Sequence, residues 1–294
     1  MRIWINAARP RTLPAAVAPV LVGTAAAFAA NGGSLPRWDG LIAALLASIL
    51  IQIGTNLAND YSDARRGADS ADRLGPVRVT SAGLVTPQRV LTATWIAFGL
   101  AAVLGIYLAF LAGPIIIAVG IVSIAAGVLY TGGPRPYGYA GLGEVFVFLF
   151  FGLVSVNGSY YVQLENLAWL PFGLSIGIGL LSTAIIVVNN VRDMDSDRRA
   201  GKNTLAVRIG RARTRRLYVT LIALAFVSLV LTVVLEGGPW LALIGLLAAP
   251  LALKPARAVT TRTDGPSLNQ ALGDTGALLG VFSLLVTAGL IIGS

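Results

Sequence analysis

Residues 56–76, NLANDYSDARRGADSADRLGP, close a long hydrophobic stretch and gather four aspartates within a short distance: Asp60, Asp63, Asp69 and Asp72. Only 12% of the 294 residues are charged, whereas 56% are hydrophobic. Such a composition excludes an ordinary soluble domain and indicates an integral membrane protein. Carboxylates collected at the end of an apolar segment therefore call for an explanation.

Hydrophobic stretches of membrane-spanning length recur along the whole chain. A span needs about 20 mostly apolar residues to cross a hydrocarbon core of roughly 30 Å. Nine stretches are candidates, the eighth being the shortest: residues 12–30, 40–59, 89–112, 114–131, 140–163, 169–190, 217–235, 238–254 and 268–292. The N-terminal residues lack the layout of a signal peptide, so we expect them to stay in the mature protein. The sequence predicts one all-α membrane domain over residues 1–294 with nine transmembrane helices.

The basic residues predict the orientation of these spans. If the N-terminus is cytoplasmic, the loops after the even-numbered spans are cytoplasmic too. All of the 22 Lys and Arg residues except Arg37 then lie on the cytoplasmic side. This distribution follows the positive-inside rule and places the C-terminus outside the cytoplasm. The net charge of +9 is thus first a topology signal, and it does not point to nucleic acid.

The chain contains no Cys and no His. This composition excludes disulfides, thiolate chemistry and most zinc or iron sites, and it removes imidazole as a general base. The available chemistry is that of carboxylates, amides, hydroxyls and cations.

A second acidic cluster, NNVRDMDSDRRAGKNT at residues 189–204, ends the sixth predicted span. The two clusters share a spacing of four between polar side chains: Asn56 with Asp60, Asn59 with Asp63, Asn189 with Asp193, and Asp193 with Asp197. That spacing stacks side chains on one face of a helix. Stacked carboxylates repel one another unless a cation lies between them, and an oxygen-only ligand set favours Mg²⁺ with a phosphate ligand. The alternative is that these residues only cap helices in the solvent.

Basic residues follow each cluster and suit a phosphorylated ligand. They are Arg65, Arg66, Arg73 and Arg78 after the first cluster, and Arg198, Arg199, Lys202 and Arg208 after the second. Two clusters from the second and sixth spans could hold a diphosphate between them, with the metal stabilising its departure. The run Arg211, Arg213, Arg215 and Arg216 is more typical of a juxtamembrane topology signal.

On these motifs the chain resembles the UbiA superfamily of membrane-embedded aromatic prenyltransferases. Asn59-Asp60-x-x-Asp63 is similar to the first acidic motif of that family, and Asp193-x-x-x-Asp197 with Gly201 and Lys202 to the second. Many members carry a third Asp four residues after the position of Asp63. This chain has Gly67 there and Asp69 two residues later, which leaves the third carboxylate of the first motif open.

Further stretches resemble one branch of the superfamily, which prenylates 1,4-dihydroxy-2-naphthoate in menaquinone synthesis. They are ARPRTLPAAVAPVLVGT (8–24), YTGGPRPYGYAGLGE (130–144), FFGLVSVNGSYY (150–161) and NNVRDMDSDRRAGKNTLAVRIG (189–210). The resemblance implies a UbiA-like bundle of two four-helix halves plus a ninth helix. It also implies a Mg²⁺-dependent transfer of a polyprenyl group from its diphosphate to the naphthoate, with loss of the carboxylate, to give demethylmenaquinone.

The residues and the resemblance together predict three groups of site residues. The metal ligands would be Asp60, Asp63, Asp193, Asp197, Asn59 and Asp69. Lys202 and Tyr130 would join the aspartates in catalysis. Substrate would contact Asn56, Asn59, Arg66, Arg78, Arg135, Tyr139, Asn189, Arg192 and Arg11.

Several aromatic and acidic residues keep two interpretations. Tyr130, Tyr137 and Tyr139 either belong to the interfacial aromatic belt or flank an allylic cation. The intramembrane acids Glu144 and Asp274 either face the site or are solvated near the cytoplasmic edge. The phenylalanines at 146, 148, 150 and 151 are expected to pack between helices or contact lipid.

Two alternative functions remain open on the sequence. One is another acceptor or donor, such as 4-hydroxybenzoate, homogentisate or a phytyl diphosphate. The other is a secondary transporter, which should place its ionisable residues near the bilayer centre rather than at helix ends.

Overall fold

The computed structural model describes residues 2–34, 37–68, 74–75 and 77–294. Helices account for nearly all of this chain: α1 Arg2–Ala8, α2 Pro14–Ala30, α3 Trp38–Arg65, α4 Pro87–Ala112, α5 Ile115–Leu129, α6 Gly143–Val147, α7 Ser155–Leu164, α8 Trp169–Arg199, α9 Leu205–Ile209, α10 Arg211–Leu235, α11 Leu253–Thr261 and α12 Gly265–Ile292. Pro10–Thr12 forms a 3₁₀ turn between α1 and α2. A π-helical segment, Phe148–Val154, joins α6 to α7, and a 3₁₀ helix, Trp240–Ala252, leads into α11.

Each of the nine predicted spans has a helical counterpart. Within the described ranges, seven continuous helical segments are long and apolar enough to cross a membrane. The pair Ile3–Thr12 and Pro14–Ala30, bent by 50°, would be an eighth. The counterpart of the fourth predicted span is α5, which has only 15 residues. The all-α membrane architecture is therefore confirmed, and the count of nine spans is compatible with it.

Both acidic clusters lie on helices that continue past the predicted ends of their spans. Helix α3 runs on to Arg65 and α8 to Arg199. At about 1.5 Å per residue, each helix extends roughly 10 Å beyond the apolar stretch. The spacing of four therefore does stack the Asn and Asp side chains on one helix face, as predicted.

Helix α8 forms the centre of the bundle. It is the most buried of the candidate spans, and its apolar side chains belong to a core shared with α2, α7, α10 and α12. The π-helical segment packs directly on its backbone, because a Cβ atom added to Gly152 would lie 2.7 Å from the Cα atom of Gly179. Small residues permit such close helix approach in membrane bundles.

A smaller apolar cluster joins α3, α4, α5 and α7 at the end of the bundle opposite the acidic residues. It contains Ala43, Leu108, Ala112, Ile116 and Val162. Arg37, just before α3, clamps this end. Its Nη1 donates a hydrogen bond to the carbonyl of Leu111 at 2.8 Å, and its Nη2 forms an ion pair with Glu165 at 2.7 Å. One arginine thus ties the ends of α4 and α7 to the start of α3.

Candidate active site

One large cavity, of about 930 Å³, is enclosed mainly by α3, α4, α5, the α6–α7 segment and α8. Its polar end is lined by both acidic clusters and by basic and amide side chains: Asn56, Asn59, Asp60, Asp63, Arg78, Asn189, Asn190, Arg192, Asp193, Asp197 and Lys202. The predicted convergence of the two clusters on one site is therefore observed.

Asp60 holds the chain that follows the first cluster. The backbone N–H groups of Val79 and Thr80 each donate to one of its carboxylate oxygens, both at 3.0 Å. Hydrogen bonds from N–H groups to a charged carboxylate are among the stronger ones in proteins. Asp60 thus fixes residues 78–80 beside the polar end of the cavity, where Arg78 belongs to the lining.

Asp63 is the meeting point of three segments. Arg78 Nη2 and Lys202 Nζ each lie 3.1 Å from its Oδ2 atom, and the hydroxyl of Tyr139 donates to Oδ1 at 2.6 Å. Lys202 also lies 4.9 Å from the centre of the Tyr139 ring, within the range of a cation–π contact. The first cluster, the loop after α5 and the segment after α8 are therefore joined at one carboxylate.

Arg192 organises the second cluster. Its Nε and Nη2 atoms bind the carboxylate of Asp193 at 2.8 and 2.6 Å, and Nη2 also donates to Asn189 Oδ1 at 2.6 Å. Its Nη1 reaches Asn269 Oδ1 of α12 at 2.7 Å. Asp195 has a different environment, since it is exposed and pairs with Arg211 at 2.8 Å. Of the three aspartates of this cluster, the two at the repeated spacing, Asp193 and Asp197, line the cavity, and Asp195 does not.

The amides of α3 connect the site to its surroundings. Asn56 Nδ2 donates to the carbonyl of Ala8 at 3.0 Å, which holds α1 against α3. Asn59 Oδ1 accepts a hydrogen bond from the hydroxyl of Thr131 at 2.9 Å. Arg11 also lines the mouth of the cavity and donates to the backbone carbonyl of Asn269 at 3.1 Å.

An aromatic wall, formed by Tyr130, Tyr137, Phe146 and Phe150, runs along the cavity from its polar end. The ring centres are 5.4 Å apart for Tyr130 and Tyr137, 3.9 Å for Tyr137 and Phe146, and 6.1 Å for Phe146 and Phe150. All four side chains line the cavity, as does Phe151. The expected packing role is observed for Phe148, which packs on Gly179, and for Phe151, which packs against the central core. The expectation did not include the position of Phe146, Phe150 and Phe151 on the cavity wall.

Tyr130 stands in a slot between two glycines. A Cβ atom at Gly138 would lie 2.7 Å from Cε2 of the Tyr130 ring, and one at Gly143 would lie 3.2 Å from the same atom. A side chain at Gly138 would therefore displace the Tyr130 ring, and one at Gly143 would crowd it.

The rest of the cavity is apolar and reaches far into the bundle. Along α3 its lining extends from Asp63 to Ala44, which is about 28 Å at the rise of an α-helix. Three lining residues, Ile106 of α4 and Ile117 and Ile121 of α5, are also exposed on the outside of the bundle. The cavity is therefore open sideways, between α4 and α5, to the surface that faces lipid.

Some predicted site residues lie elsewhere. Arg66 contacts the carbonyl of Gly133 and lies 5.7 Å from the centre of the Tyr139 ring, outside the cavity lining. Arg135 is exposed on the loop after α5. Asp274 pairs with Lys254 at 3.1 Å and is not among the lining residues. Asp69, Asp72 and Arg73 lie outside the described residues.

Other cavity residues were not predicted. Gln52 lies four positions before Asn56, so the repeated spacing extended by one turn would have indicated it. Thr131 and Asn269 gave no such signal, because their roles depend on contacts with distant segments. Asn190 also lines the cavity, although only its neighbour Asn189 fits the spacing.

The oxygen-rich donor set at the polar end suits a hard cation such as Mg²⁺. Among the described residues, no three acidic side chains converge closely enough to form a metal site by themselves. A site for Mg²⁺ nevertheless needs only one or two carboxylates when a phosphate and waters supply the other ligands. Asp60, Asp63, Asp193 and Asp197 surround the same polar space, so they fit a metal that arrives with a diphosphate.

The chain is similar in sequence to named proteins and similar in fold to a solved structure. A 1,4-dihydroxy-2-naphthoate octaprenyltransferase of Mycobacterium tuberculosis is 46% identical over 99% of this chain and 97% of its own. A protein of the same name from Escherichia coli is 40% identical over 94% of this chain and 91% of its own. The solved structure of a UbiA homologue from Archaeoglobus fulgidus, bound to GPP and Mg²⁺, matches with a TM-score of 0.65 at 14% identity. That match covers 98% of this chain and 99% of the homologue.

The fold and the cavity define a multi-pass helical membrane protein with a binding site that is polar at one end and open to lipid along its side. The chain belongs to the UbiA prenyltransferase family, whose pattern matches residues 16–288.

Proposed function

We propose that this protein transfers a polyprenyl group from polyprenyl diphosphate to 1,4-dihydroxy-2-naphthoate with loss of CO₂, giving demethylmenaquinone in its quinol form. The similarity to named octaprenyltransferases over nearly the whole chain supports the acceptor. The observation that carries the proposal is the large cavity, which joins paired acidic and basic clusters to a long apolar channel. Such a cavity accommodates a substrate with a highly charged head and an apolar tail.

The basic side chains at the polar end would balance the charge of the diphosphate. Arg78, which follows the first cluster, and Lys202, which follows the second, both approach Asp63, and Arg192 approaches Asp193. Each now neutralises a carboxylate of the protein, so the bound diphosphate would share these cations with Asp63 and Asp193. Electrostatic groups fixed in advance around the developing charge of a leaving group lower the barrier to its departure.

Mg²⁺ would be held by Asp60, Asp63, Asp193 and Asp197, with Asn59 beside them. Bound there, the metal would supply positive charge to the leaving diphosphate oxygens. The complex of a UbiA homologue with GPP and Mg²⁺ supports a metal of this kind, and the choice of ligands rests on the lining of the cavity. The proposal includes Asp69 as a further carboxylate ligand. Asp69 lies outside the described residues.

CO₂ leaves the ring carbon in place of a proton, so the reaction needs no general base to remove a ring proton. The chain has no His to act as such a base. The allylic C–O bond breaks and diphosphate leaves with the electron pair. The ring carbon that bears the carboxylate forms a bond to the allylic carbon, and CO₂ departs while its bonding electrons remain in the ring. The aromatic wall would attract the allylic cation and keep water from it.

The apolar channel would take the isoprenoid chain. Its side opening between α4 and α5, next to Ile106 and Ile121, would let a chain longer than the channel continue into the bilayer. The protein would lie in the cell membrane with its N-terminus and the polar end of the cavity facing the cytoplasm and its C-terminus outside. The basic residues support this orientation, because in the described part of the chain Arg37 alone among them lies at the end of the bundle opposite the acidic clusters.

The purified protein can be given one radiolabelled polyprenyl diphosphate with 1,4-dihydroxy-2-naphthoate, 4-hydroxybenzoate or homogentisate. We expect labelled product and released CO₂ only with the naphthoate. Prenylation of another acceptor in preference to the naphthoate would refute the proposed acceptor. Absence of transfer to any acceptor, in protein that is folded and supplied with Mg²⁺, would refute the proposed activity.

A further inference from the structure

Asn190 lies in the wall of the cavity, and the buried carboxyl group of Glu144 holds its side-chain amide in one orientation. Glu144, at the start of α6, is only 5% exposed, and its Oε1 atom accepts a hydrogen bond from Asn190 Nδ2 at 2.8 Å. Its second oxygen, Oε2, is buried without a hydrogen-bond partner in the part of the chain that the structure describes. Burying such a group inside a membrane protein is costly, so its presence calls for a function.

The contact with Glu144 determines which edge of the Asn190 amide faces the cavity. A carboxyl oxygen that accepts a hydrogen bond must face the NH₂ edge of the amide. The carbonyl oxygen of Asn190 is therefore turned away from Glu144, and Asn190 is one of the residues that line the cavity. An amide carbonyl fixed in this way can only accept a hydrogen bond, so it selects a donor on the bound molecule.

The position of this carbonyl points to the aromatic substrate. Asn190 lies on α8 about one turn before Asp193, hence just inside the polar end of the cavity. The Tyr130 hydroxyl is close by, since it would lie 3.5 Å from a Cβ atom on Gly143, the residue before Glu144. A ring held between Tyr130 and Asn190 would lie next to the diphosphate end of the site, where the new bond forms.

We infer that the carbonyl oxygen of Asn190, oriented by Glu144, accepts a hydrogen bond from a ring hydroxyl of the aromatic acceptor. This inference rests on the proposed function and names the residues that recognise its acceptor. Asn190 contacts the substrate, whereas Glu144 is a positioning residue. A site built to bind a hydroxyl discriminates against analogues that lack it, because its own polar group is then left unpaired.

The experiment compares Asn190→Leu, Glu144→Leu and Glu144→Gln. We expect the first two to raise the KM for 1,4-dihydroxy-2-naphthoate by about tenfold, the loss of roughly one hydrogen bond, with little change in the KM for polyprenyl diphosphate. Glu144→Gln should stay near wild type, because its amide carbonyl can still accept from Asn190. The double variant with leucine at both positions should be no worse than Asn190→Leu alone.

A pair of inhibitors identifies the hydroxyl. Binding of 1-hydroxy-2-naphthoate and of 4-hydroxy-2-naphthoate, each lacking one hydroxyl of the acceptor, is measured by competition. In wild type, one analogue should bind about tenfold more weakly than the other, and in Asn190→Leu that difference should disappear. Asn157→Leu is the matched control, because the Asn157 amide donates to the carbonyl of Leu153 in its own helix segment and Asn157 is not among the described residues that line the cavity. Should Asn190→Leu fail to fold, Asn190→Ala provides the same comparison.

The inference is overturned if Asn190→Leu or Asn190→Ala retains the discrimination between the two analogues, or if the donor KM rises as much as the acceptor KM. A purely structural role for Glu144 would produce equal losses in Glu144→Gln and Glu144→Leu, and that result also overturns it. These outcomes are distinct from failure of the proposed function, which would appear as absence of naphthoate turnover in the wild-type protein.

Discussion

Lys202 and Asp63 form an ion pair, with 3.1 Å between Nζ and Oδ2. The lysine follows the second acidic cluster and the aspartate belongs to the first, so this contact joins the two halves of the site directly. Both side chains are largely withdrawn from solvent, at 10% and 2% exposure. Asp63 also pairs with Arg78, so loss of the aspartate would take a partner from two buried cations at once, which is strongly unfavourable. The pair therefore helps to hold the two acidic clusters together at the polar end of the cavity.

The first prediction separates metal binding from helix capping. Asp63→Asn and Asp193→Asn keep the shape and the capping ability of the side chain but remove the charge that a hard cation needs. Each should lower turnover by about 100-fold or more, which corresponds to roughly 2.7 kcal/mol of transition-state stabilisation. Initial rates in detergent, with the elution profile as a test of folding, provide the measurement.

Asp195→Asn is the matched control for these variants. Asp195 belongs to the same cluster but is exposed and pairs with Arg211 outside the cavity. Its variant should turn over nearly as fast as wild type. Near-normal rates in Asp63→Asn and Asp193→Asn would show that the clusters only cap helices.

The second prediction concerns metal removal. With only oxygen ligands available and no Cys or His in the chain, chelation should abolish turnover, and added Mg²⁺ should restore it. A diphosphate analogue should raise the unfolding temperature more when Mg²⁺ is present than when it is absent, because the two are expected to bind together. Full turnover in excess chelator would contradict the proposed role of the aspartates.

The third prediction tests orientation, for which the absence of native cysteines is convenient. Ser34→Cys and Thr263→Cys each introduce a single thiol at an exposed position, in the loops after α2 and after α11. In intact cells, a membrane-impermeant maleimide should label position 34 and leave position 263 unlabelled. The reverse pattern would invert the proposed topology, and labelling of both would contradict the nine-span count.

The fourth prediction concerns the clamp at the other end of the bundle. Arg37→Met removes the hydrogen bond to Leu111 and the ion pair with Glu165, and it leaves a helix-terminal carbonyl without its donor. The free energy of unfolding should fall by about 1–3 kcal/mol. A thermal unfolding series in detergent tests this, with Arg213→Met at an exposed position as the control. Equal stability of both variants would mean that Arg37 contributes only to topology.

The fifth prediction tests the side opening. Gly120 of α5 lines the cavity and has open space where a side chain would project. Gly120→Phe should lower kcat/KM for a long polyprenyl diphosphate by about tenfold and affect geranyl diphosphate much less, since only the long chain needs the opening. Gly99→Phe, at an exposed α4 position away from the cavity, is the control. Equal losses with both donors would place the tail elsewhere.

Much of this architecture could be predicted because it depends on local pattern. Apolar runs specify the spans, and the spacing of four specifies the helix faces that carry Asp60, Asp63, Asp193 and Asp197. The backbone bonds from Val79 and Thr80 to Asp60 could not be predicted in this way. They depend on how a loop folds back onto its own helix, which leaves no periodic trace.

The cavity-facing phenylalanines show the same limit. Phe146 and Phe150 are spaced by four, which indicates a shared helix face but not which face it is. Whether that face meets lipid, another helix or a cavity depends on the packing of α6 and α7 against α5 and α8. Asn269 became part of the site for a similar reason, because α12 reaches Arg192 only in the assembled bundle.

Helix α5, with 15 residues, is about 22 Å long, whereas the hydrocarbon core of a bilayer is roughly 30 Å thick. One accommodation to so short a helix is local thinning of the bilayer, at a cost that grows with each ångström of mismatch. The deformation would fall at the side opening, where α5 forms one edge. The lipid around the entrance would then be compressed, and the host bilayer itself would influence catalysis: activity should be highest in short-chain lipids and decline as the acyl chains lengthen.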